Sequence, residues 1–485
     1  MVMPRCSKSV TGPGRRARHT LGRLAVCLVI AAVLLMVLAA SAQAYVPGKQ
    51  AWVKTYGTAA HEASAWDVAT GPGGVVCTAG WRDSGAGGWD MLVIKYNSAG
   101  KKLWSKTFNG PGNGDDVATD LLFDRKGNIY VLGDVTNVAG NTDIVVIKYS
   151  PAGKRLWRKA YNGPQNLDEE PADLILDTAG NVYVSGNSVV GPAPGGGTFY
   201  GLVTLKYDAA GHLKWTYRMD PLLSDPDAGS IRASVIGLDG ARNVYVAGQS
   251  VYMKVSTALT LKLSGKDGHK IKANVYTEGP EGLDASSSAS SMDVRGKSVV
   301  ITGWVAPFDL SAPPDVLVAK YDLSLNQKWA YKYDGTAHKY DAGDDVALDG
   351  AGNVLVTGTS TVPVTGGTTD KCTTFKLNGL GHLKWMRFLL PRGHDSSSGY
   401  YIVLDATGAA YVGAAAEGLT NGTNFLTVKY SAGGARKWYR VWNGAGNYDD
   451  DPGYIALGSK NTVYVAGEGT ARGHFSQSVV VKYLR

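Results

Sequence analysis

Short segments in which apolar and polar residues alternate follow one another along the chain from Tyr45 onward. Residues 116–162 show the pattern once, as LLFD, IYVLG, IVVIKY and LWRKAY separated by turn residues. Alternation over so few residues is typical of β-strands with one buried face. Four such segments in one unit predict a four-stranded antiparallel sheet.

The unit recurs, and its last segment usually carries a tryptophan. The residues at this position are Trp52, Trp104, Trp157, Trp215, Ile271, Trp329, Trp385 and Trp438. Eight units of four strands predict an all-β fold, a single eight-bladed β-propeller of four-stranded antiparallel blades over residues 45–485. A fusion of two domains is the alternative.

The two ends of the repeated region complement each other. Residues 51–57, AWVKTYG, have the pattern of a fourth strand, and residues 478–485, SVVVKYLR, have that of a third strand. Pairing these segments would let the N-terminal strand complete the last blade. The ring would then be closed and would leave only short protected edges.

The same pattern predicts the blade core and the connections. For the second blade the predicted core residues are Ile129, Val131, Val145, Ile147 and Trp157. Tight first turns such as 124–128 begin with an aspartate, which we expect to bond its own turn backbone. The longer loops, between second and third strands and between blades, should share one face of the propeller. We expect function on that face.

Composition and charge narrow the class of protein. The chain has 485 residues, of which 63 are glycine, and 44% are hydrophobic, which fits many short strands and excludes a helical bundle. The net charge is +8, but six of the 49 basic residues and none of the 41 acidic residues lie in 1–44. The repeated region is therefore almost neutral, and nothing in its charge predicts binding to nucleic acid.

Residues 1–44 have the pattern of an export signal. A basic stretch precedes the apolar run 24–40, and Ala42-Gln43-Ala44 forms a small-x-small cleavage pattern. We predict removal of this leader and an extracellular or cell-envelope location, with a membrane contact only if the leader is retained as an anchor. Cys77 and Cys372 fall in distant repeats, which predicts two buried thiols without a disulfide. We expect a monomer.

The repeat cores resemble a known family. The segments at 127–133, 180–186 and 242–248 resemble the D-x-x-G-N-x-Y-V-x-G core of the bacterial β-propeller repeat (SBBP) family. That resemblance implies an exported propeller without an assigned chemistry. The Gly-x-x-x-Trp segments, such as 153–157, are similar to the tryptophan-docked blades of eight-bladed quinoprotein dehydrogenases. Those enzymes use an adjacent cysteine pair, which this sequence lacks.

Acidic residues occupy an equivalent place in several units. Aligning the repeats puts Asp67, Asp120, Asp173 and Asp345 at the start of the innermost strand. Asp67, Asp120 and Asp173 belong to three consecutive blades, so their carboxylates would be neighbours at the channel mouth and would suit Ca²⁺. The alternative is that these aspartates hold the chain reversal between blades.

Aromatic residues outside the repeat position are the candidate binding residues. Trp81 and Trp89 flank the long loop of the first blade, Trp304 and Phe308 that of the fifth, and Trp442 and Tyr448 a connection between blades. Flat rings near polar side chains can stack on sugars or anchor a protein partner. They can also cover the ends of the blades.

The sequence therefore predicts an exported, non-catalytic binding or scaffold propeller. Its long-loop face would recognise a glycan, a cell-wall polymer or a protein. The alternative is a polysaccharide hydrolase or lyase that uses paired carboxylates on that face. No cofactor is firmly implied beyond the possible Ca²⁺.

Overall fold

Every repeat of the sequence folds as a four-stranded antiparallel sheet in which strand order follows chain order. The computed structural model describes residues 47–484 except 86, 194–195, 226, 278–284, 308–310, 421 and 460–461. The leader 1–44 and Phe308 lie outside the described residues. The propeller belongs to one compact unit, Gly48–Arg485. Among the residues described, none forms a helix of the length and hydropathy needed to span a bilayer.

The first four blades contain sixteen strands, numbered in chain order after β1 (Gln50–Tyr56). Blade 1 is β2 (Ala63–Thr70), β3 (Val76–Asp83), β4 (Trp89–Tyr96) and β5 (Lys102–Phe108), with a 3₁₀ turn at Pro72–Gly74. Blade 2 is β6 (Val117–Phe123), β7 (Ile129–Thr136), β8 (Thr142–Tyr149) and β9 (Arg155–Tyr161). Blade 3 is β10 (Glu169–Leu176), β11 (Val182–Pro192), β12 (Thr198–Tyr207) and β13 (Leu213–Met219). Blade 4 is β14 (Ala228–Leu238), β15 (Val244–Tyr252), β16 (Val255–Leu263) and β17 (Lys270–Val275).

The second half of the ring repeats this plan. Blade 5 is β18 (Ala285–Arg295), β19 (Ser298–Pro307), β20 (Asp315–Asp322) and β21 (Gln327–Tyr333). Blade 6 is β22 (Asp341–Leu348), β23 (Val354–Val364), β24 (Gly367–Leu377) and β25 (Leu383–Leu389). Blade 7 is β26 (His394–Leu404), β27 (Ala410–Gly418), β28 (Gly422–Tyr430) and β29 (Arg436–Trp442). Blade 8 is β30 (Asp451–Gly458), β31 (Thr462–Thr470) and β32 (Ser476–Leu484), completed by β1.

The N-terminal strand closes the ring, as the sequence predicts. β1 pairs antiparallel with β32, with Tyr56 opposite Ser478 and Val53 opposite Val481. The Gly48 N–H also donates to the Leu484 carbonyl at 2.6 Å. The last blade is thereby built from both ends of the repeated region, and the prediction of eight closed blades is confirmed.

Apolar residues pack between blades. Ile129, Val131, Val145 and Ile147 form one cluster with residues of blade 1, including Trp104. Trp157 lies on the opposite side of its own sheet, where it packs with residues of blades 2 and 3. The prediction of one core containing all five is therefore wrong for Trp157, because alternate residues of a buried strand face opposite neighbours. Cys77 and Cys372 are buried free thiols within such clusters.

Six of the eight blades dock onto a turn of the next blade through a tryptophan and a lysine that share one carbonyl oxygen. Blade 4 lacks the tryptophan, and Trp438 Nε1 of blade 7 has no hydrogen-bond partner among the described residues. In blade 2, Trp157 Nε1 and Lys148 Nζ both donate to the Ala209 carbonyl of blade 3, at 3.2 and 2.9 Å. Gly211 in that turn lies against the tryptophan, since a Cβ there would come within 2.9 Å of the Trp157 ring. The Gly-x-x-x-Trp motif thus contains a glycine that receives the preceding blade's tryptophan.

One junction lacks this tryptophan, and its partner residue differs as well. Ile271 stands in the tryptophan position of blade 4 and is 47% exposed. The glycine position of the following turn is Leu325, which has φ +55° and is completely buried. The Leu325 side chain packs in the cluster between blades 4 and 5, where the other junctions have an indole. Lys262 still donates to the Leu323 carbonyl at 2.7 Å.

The aspartates of the tight first turns are structural, as expected. Asp124 Oδ1 accepts the N–H groups of Lys126 and Asn128, both at 2.9 Å. Its Oδ2 accepts the Asn128 side-chain amide at 2.7 Å and faces the Tyr130 hydroxyl at 3.5 Å. Asp177 makes the same contacts, so the D-x-x-G-N-x-Y pattern is the signature of one hydrogen-bonded turn.

The exchange of both residues at this junction predicts that substitutions at positions 271 and 325 have non-additive effects on the free energy of unfolding. The I271W substitution should overpack against Leu325 and destabilise the protein by about 1–3 kcal/mol. The I271W/L325G double variant should recover much of that loss, because glycine leaves room for the indole and tolerates the positive φ. Denaturant unfolding of the four proteins in the cycle measures the coupling.

The reverse exchange at the next junction, W329I with G381L, serves as the control. A Cβ at Gly381 would lie 2.9 Å from the Trp329 ring. This pair should also be coupled, because G381L is tolerated only when the indole is gone. Additivity within about 0.5 kcal/mol at both junctions would show that tryptophan and glycine are not matched across the boundary.

Candidate functional site

The innermost strands of the blades surround a cavity on the axis of the propeller, here called the channel cavity. Its volume is about 410 Å³, and residues from blades 2 to 8 line it. Its polar and aromatic lining includes Asp173, Ser234, Ser290, Ser291, Asp344, Asp345, Tyr400, Tyr401 and Tyr454. This size falls within the range of small-molecule sites in proteins.

A bulge at the same place in every innermost strand directs side chains toward the axis. The register of β6 shifts between Ala118 and Asp120, and that of β22 shifts between Gly343 and Asp345. A bulge adds one residue to one strand of a pair and re-aims its neighbours. The residues that follow the bulge are Asp67, Asp120, Asp173, Val235, Ser291, Asp345 and Tyr401. In β30 the bulge is one residue longer and includes Tyr454, with pairing resumed at Ile455.

The structure brings Asp67, Asp120 and Asp173 together, as the sequence predicts. Each carboxylate accepts a backbone N–H from the innermost strand of the next blade. The distances are 2.7 Å from Leu121 to Asp67, 3.1 Å from Leu174 to Asp120, and 2.8 Å from Ile236 to Asp173. These bonds tie neighbouring blades together at the channel wall. Asp345 makes the same contact with Ile402 at 2.8 Å.

Burial and mutual repulsion hold these carboxyl groups close to neutrality. Burial raises the pKa of Asp67 to about 6, and burial together with the charge of neighbouring aspartates raises the pKa of Asp120 and Asp173 well above the usual value. Side-chain hydrogen bonds join Asp120 to Asp67 on one side and to Asp173 on the other. The trio therefore shares protons near neutral pH. A calcium ion bound by these three residues remains a prediction.

Asp344 occupies the bulge itself and is a different kind of group. It lines the channel cavity next to Asp345. Burial, and then the charge of Asp345, raises the pKa of Asp344 to about 7. A carboxyl group with this pKa can both donate and accept a proton at neutral pH. The sequence shows Asp344 and Asp345 as an acidic pair before an innermost strand but does not distinguish the two.

A pair of tyrosines forms the aromatic part of the cavity wall. The rings of Tyr401 and Tyr454 stack with centroids 4.0 Å apart and planes 26° apart. Burial raises the pKa of both phenols. Tyr454 nevertheless keeps 41% of its surface accessible, because the channel itself is open to water. Sequence reasoning missed both, although the repeat alignment that found Asp67 places them at the same position.

The channel cavity carries no positive group of its own among the described residues. Its lining consists of carboxyl, hydroxyl, phenol and apolar side chains. Partial ionisation of Asp344 and Asp345 near pH 7 makes the cavity increasingly negative as the pH rises. An anionic ligand would be repelled there, whereas a neutral or cationic ligand would not.

The predicted aromatic binding residues lie apart from this cavity and do not form one cluster, because Trp81 and Trp89 belong to blade 1, Trp304 to blade 5 and Trp442 to blade 7. Trp81 is buried under Trp89, with ring centroids 4.3 Å apart, and Trp89 is 38% exposed. Tyr448 is 49% exposed and its ring lies 4.2 Å from His474. Trp304 and Trp442 are half-buried, and the ring centroids of Trp442 and Phe425 are 4.9 Å apart. Their role in binding remains a prediction.

No protein-family model matches the chain. No curated protein matches it in sequence. The resemblance to the SBBP family therefore remains a prediction.

Solved structures do match, at low identity. The polysaccharide lyase Uly1 has 10% identity and a TM-score of 0.49, over 76% of this chain and 90% of the lyase chain. The WD40 domain of SCAP from fission yeast has 10% identity and a TM-score of 0.47, over 89% of this chain and 98% of the WD40 chain. The β-propeller domain of the Trilobed protease from Pyrococcus furiosus has 10% identity and a TM-score of 0.42, over 78% and 97%. The likeness is to the propeller architecture alone.

The raised pKa of Asp344 predicts a pH-dependent stability. The folded state holds this proton more tightly than the unfolded chain does. The resulting contribution of Asp344 to the free energy of unfolding is therefore complete below about pH 4 and is lost as the pH rises toward 7. The D344N variant keeps the neutral form, and its stability relative to the native protein should rise by about 3 kcal/mol between pH 4.5 and 7.5. Denaturant unfolding at several pH values measures the gain.

Asp395 provides the matched control, because it is exposed and starts an innermost strand of the neighbouring blade. D395N should follow the native pH profile. If D344N also follows that profile, Asp344 is ionised at no cost and our description of the cavity electrostatics is wrong.

Proposed function

We propose that this protein is an exported binding module and that the channel cavity binds an uncharged, hydroxyl-rich ligand, a glycan end. The stacked Tyr401–Tyr454 pair beside carboxyl groups of raised pKa is the observation that carries this proposal. Export is supported by the leader pattern at 1–44. The proposal makes the protein a ligand-recognising component of the cell envelope or its surroundings.

The chemistry of the lining suits a sugar in two ways. A flat aromatic ring offers a surface for the apolar face of a pyranose, and of the cavity tyrosines Tyr454 has the largest accessible area, 41%, followed by Tyr400 with 36%. Carboxyl and hydroxyl groups offer directional hydrogen bonds to sugar hydroxyls, and Asp344, Ser290 and Ser234 lie in the same wall. Few polar groups in an otherwise apolar pocket are typical of sites that select by orientation.

The charge of the cavity selects among glycans. Burial keeps Asp344 and Asp345 partly protonated near neutral pH, with pKa values of about 7 and about 6. A uronic acid or a sulfated sugar would bring a negative charge next to these groups, while a neutral hexose would not. We therefore expect neutral sugars to bind more tightly than acidic ones, and most clearly above pH 7.

Hydrolysis of a glycan is the second candidate, and Asp344 is the observation in its favour. A general acid needs a raised pKa beside an ionised partner. Asp344 has the higher pKa, about 7, and the pKa of Asp345 beside it is lower, about 6. Asp345 already accepts hydrogen bonds from Ile402 and Ser291, which leaves less of it available for a reacting sugar. Binding is therefore the better supported function.

The proposal predicts which substitutions abolish binding. In a panel of neutral and acidic oligosaccharides measured by titration calorimetry, at least one neutral sugar should bind to the native protein. The Y454A variant should lower that affinity at least tenfold, since stacking on one aromatic ring contributes about 1–2 kcal/mol. Y448A, which removes an exposed tyrosine outside the channel, should leave the affinity unchanged.

Two other results would contradict the channel as the binding site. If Y448A or W89A lost binding while Y454A kept it, the ligand would lie on the outer loops. If reducing ends accumulated with the native protein but not with D344N, the protein would be an enzyme and the second candidate would replace the first.

A further inference from the structure

A second cluster of carboxylates lies away from the channel, where blade 5 meets blade 6. Asp315 begins β20, Asp334 follows β21, and Asp341 begins β22. One oxygen from each of the three lies within 4.8 Å of the other two, and within the described part of the chain no other three acidic, histidine or cysteine residues do so. Two oxygens bound to one calcium ion at about 2.4 Å are at most about 4.8 Å apart, so this spacing fits one ion.

The interior end of the cluster contains polar atoms without partners. Asp341 is completely buried, and only its Oδ2 is bonded, by the Gly335 N–H at 2.8 Å. Its Oδ1 has no hydrogen-bond partner among the described residues. The Ser360 hydroxyl, opposite Asp341 in the strand pair, is also completely buried; it interacts with the Asp341 carboxyl group, whose pKa it lowers, and has no other hydrogen-bond partner among the described residues. Buried polar atoms of this kind usually have a partner.

Two equivalent junctions differ from this one, and a third resembles it. Glu169 holds the position of Asp341 in blade 3 and likewise keeps one buried oxygen without a partner among the described residues. Asp116 and Asp450 hold this position in blades 2 and 8, and each uses both oxygens. In each case the second oxygen accepts a threonine N–H at 2.8 Å, from Thr136 or from Thr470. The corresponding N–H at the blade 5–6 junction is that of Thr361, and it donates to the Tyr340 carbonyl at 3.0 Å instead. The Asp341 oxygen is thereby left for another partner.

The loop before Asp341 also departs from its counterparts. Three equivalent loops begin and end with an asparagine pair, Asn109–Asn113, Asn162–Asn166 and Asn443–Asn447, whose side chains hydrogen-bond to each other. In this loop the pair is Asp334 and His338, with His338 Nδ1 at 2.6 Å from Asp334 Oδ2. Where the other loops have a neutral asparagine amide, this loop has the carboxylate of Asp334, which lies next to those of Asp315 and Asp341.

The charges in and around the cluster leave it negative. A cavity of about 220 Å³ opens beside it, lined by Asp315, Asp334, His338 and Lys332. Lys332 supplies one positive charge against three carboxylates. Burial, and then the negative charges of Asp315 and Asp334, raises the pKa of Asp341. A divalent cation would balance the remaining charge.

We propose that Asp315, Asp334 and Asp341 bind one calcium ion at the junction of blades 5 and 6. The donors are all oxygen, from three carboxylates and the Ser360 hydroxyl, and the cavity admits water to complete the six to eight ligands that calcium takes. The ion joins the loops of two blades. This site is independent of the channel cavity and of the function proposed for it.

Calcium titration of the metal-free protein tests the site. Calorimetry should give one Ca²⁺ per chain, and saturating Ca²⁺ should raise Tm by at least about 2 °C. D334N should lower the affinity at least tenfold and abolish the shift in Tm. This variant should fold, because it installs the asparagine that three equivalent loops already carry. D395N, which removes an exposed carboxylate at the start of β26, should bind Ca²⁺ like the native protein.

The remaining variants and metals give the results that would overturn the proposal. Titrations with Mg²⁺, Mn²⁺ and Zn²⁺ run in parallel, and a response to Zn²⁺ without one to Ca²⁺ would contradict an all-oxygen calcium site. Binding that survives D334N but is lost in D120N would place the ion in the channel trio instead. Flat calorimetric traces and superimposable melts with every metal would rule out a cation at either place. S360A, which changes no charge, should weaken Ca²⁺ binding several-fold and leave the metal-free Tm within about 1 °C.

Discussion

The ring depends on one contact that recurs at six of its eight junctions, in which two donors of a blade share a single carbonyl oxygen of the next. In blade 1, Lys95 and Trp104 both reach the Pro151 carbonyl, at 2.9 and 3.1 Å. A buried ammonium group needs such an acceptor, because burial without one would favour its neutral form. The carbonyl in turn belongs to a tight turn whose glycine lies against the indole. Lysine, tryptophan, turn and glycine are therefore fixed together, and the apolar clusters between blades form around them.

Most of this architecture can be predicted from the sequence because the sequence repeats. Alternation gives the strands, the recurring tryptophan gives the number of blades, and the end segments give the closure. Sequence pattern does not tell which side of a sheet a residue faces when both sides are buried. Trp157 and Ile147 look alike in the pattern, yet they contact blades 3 and 1 respectively. A strand buried on both faces lacks the polar face that would orient it.

The candidate site could be predicted only in part. Repeat alignment located Asp67, Asp120 and Asp173, since a residue type that recurs at one position stands out. The same position in blades 7 and 8 is Tyr401 and Tyr454, which differ from the consensus and are therefore easy to overlook. Their stacking depends on how two consecutive blades pack, which the sequence pattern does not show. The hydrogen bonds of these aspartates also go beyond a local turn. Asp67 and Asp173 accept a backbone N–H from their own strand and another from the next blade.

The exchange of Trp and Gly for Ile271 and Leu325 has a consequence for how such proteins can change. A single substitution on either side of that boundary would leave a clash or a void, so the two positions can vary only together. Blades 4 and 5 are consequently not interchangeable with the other blades, since each would bring one half of this contact to a neighbour that carries a glycine or a tryptophan instead. At this boundary the segment that can be moved intact runs from the middle of blade 4 to the middle of blade 5. Recombination here should therefore succeed at breakpoints inside these two sheets and fail at the loop between them.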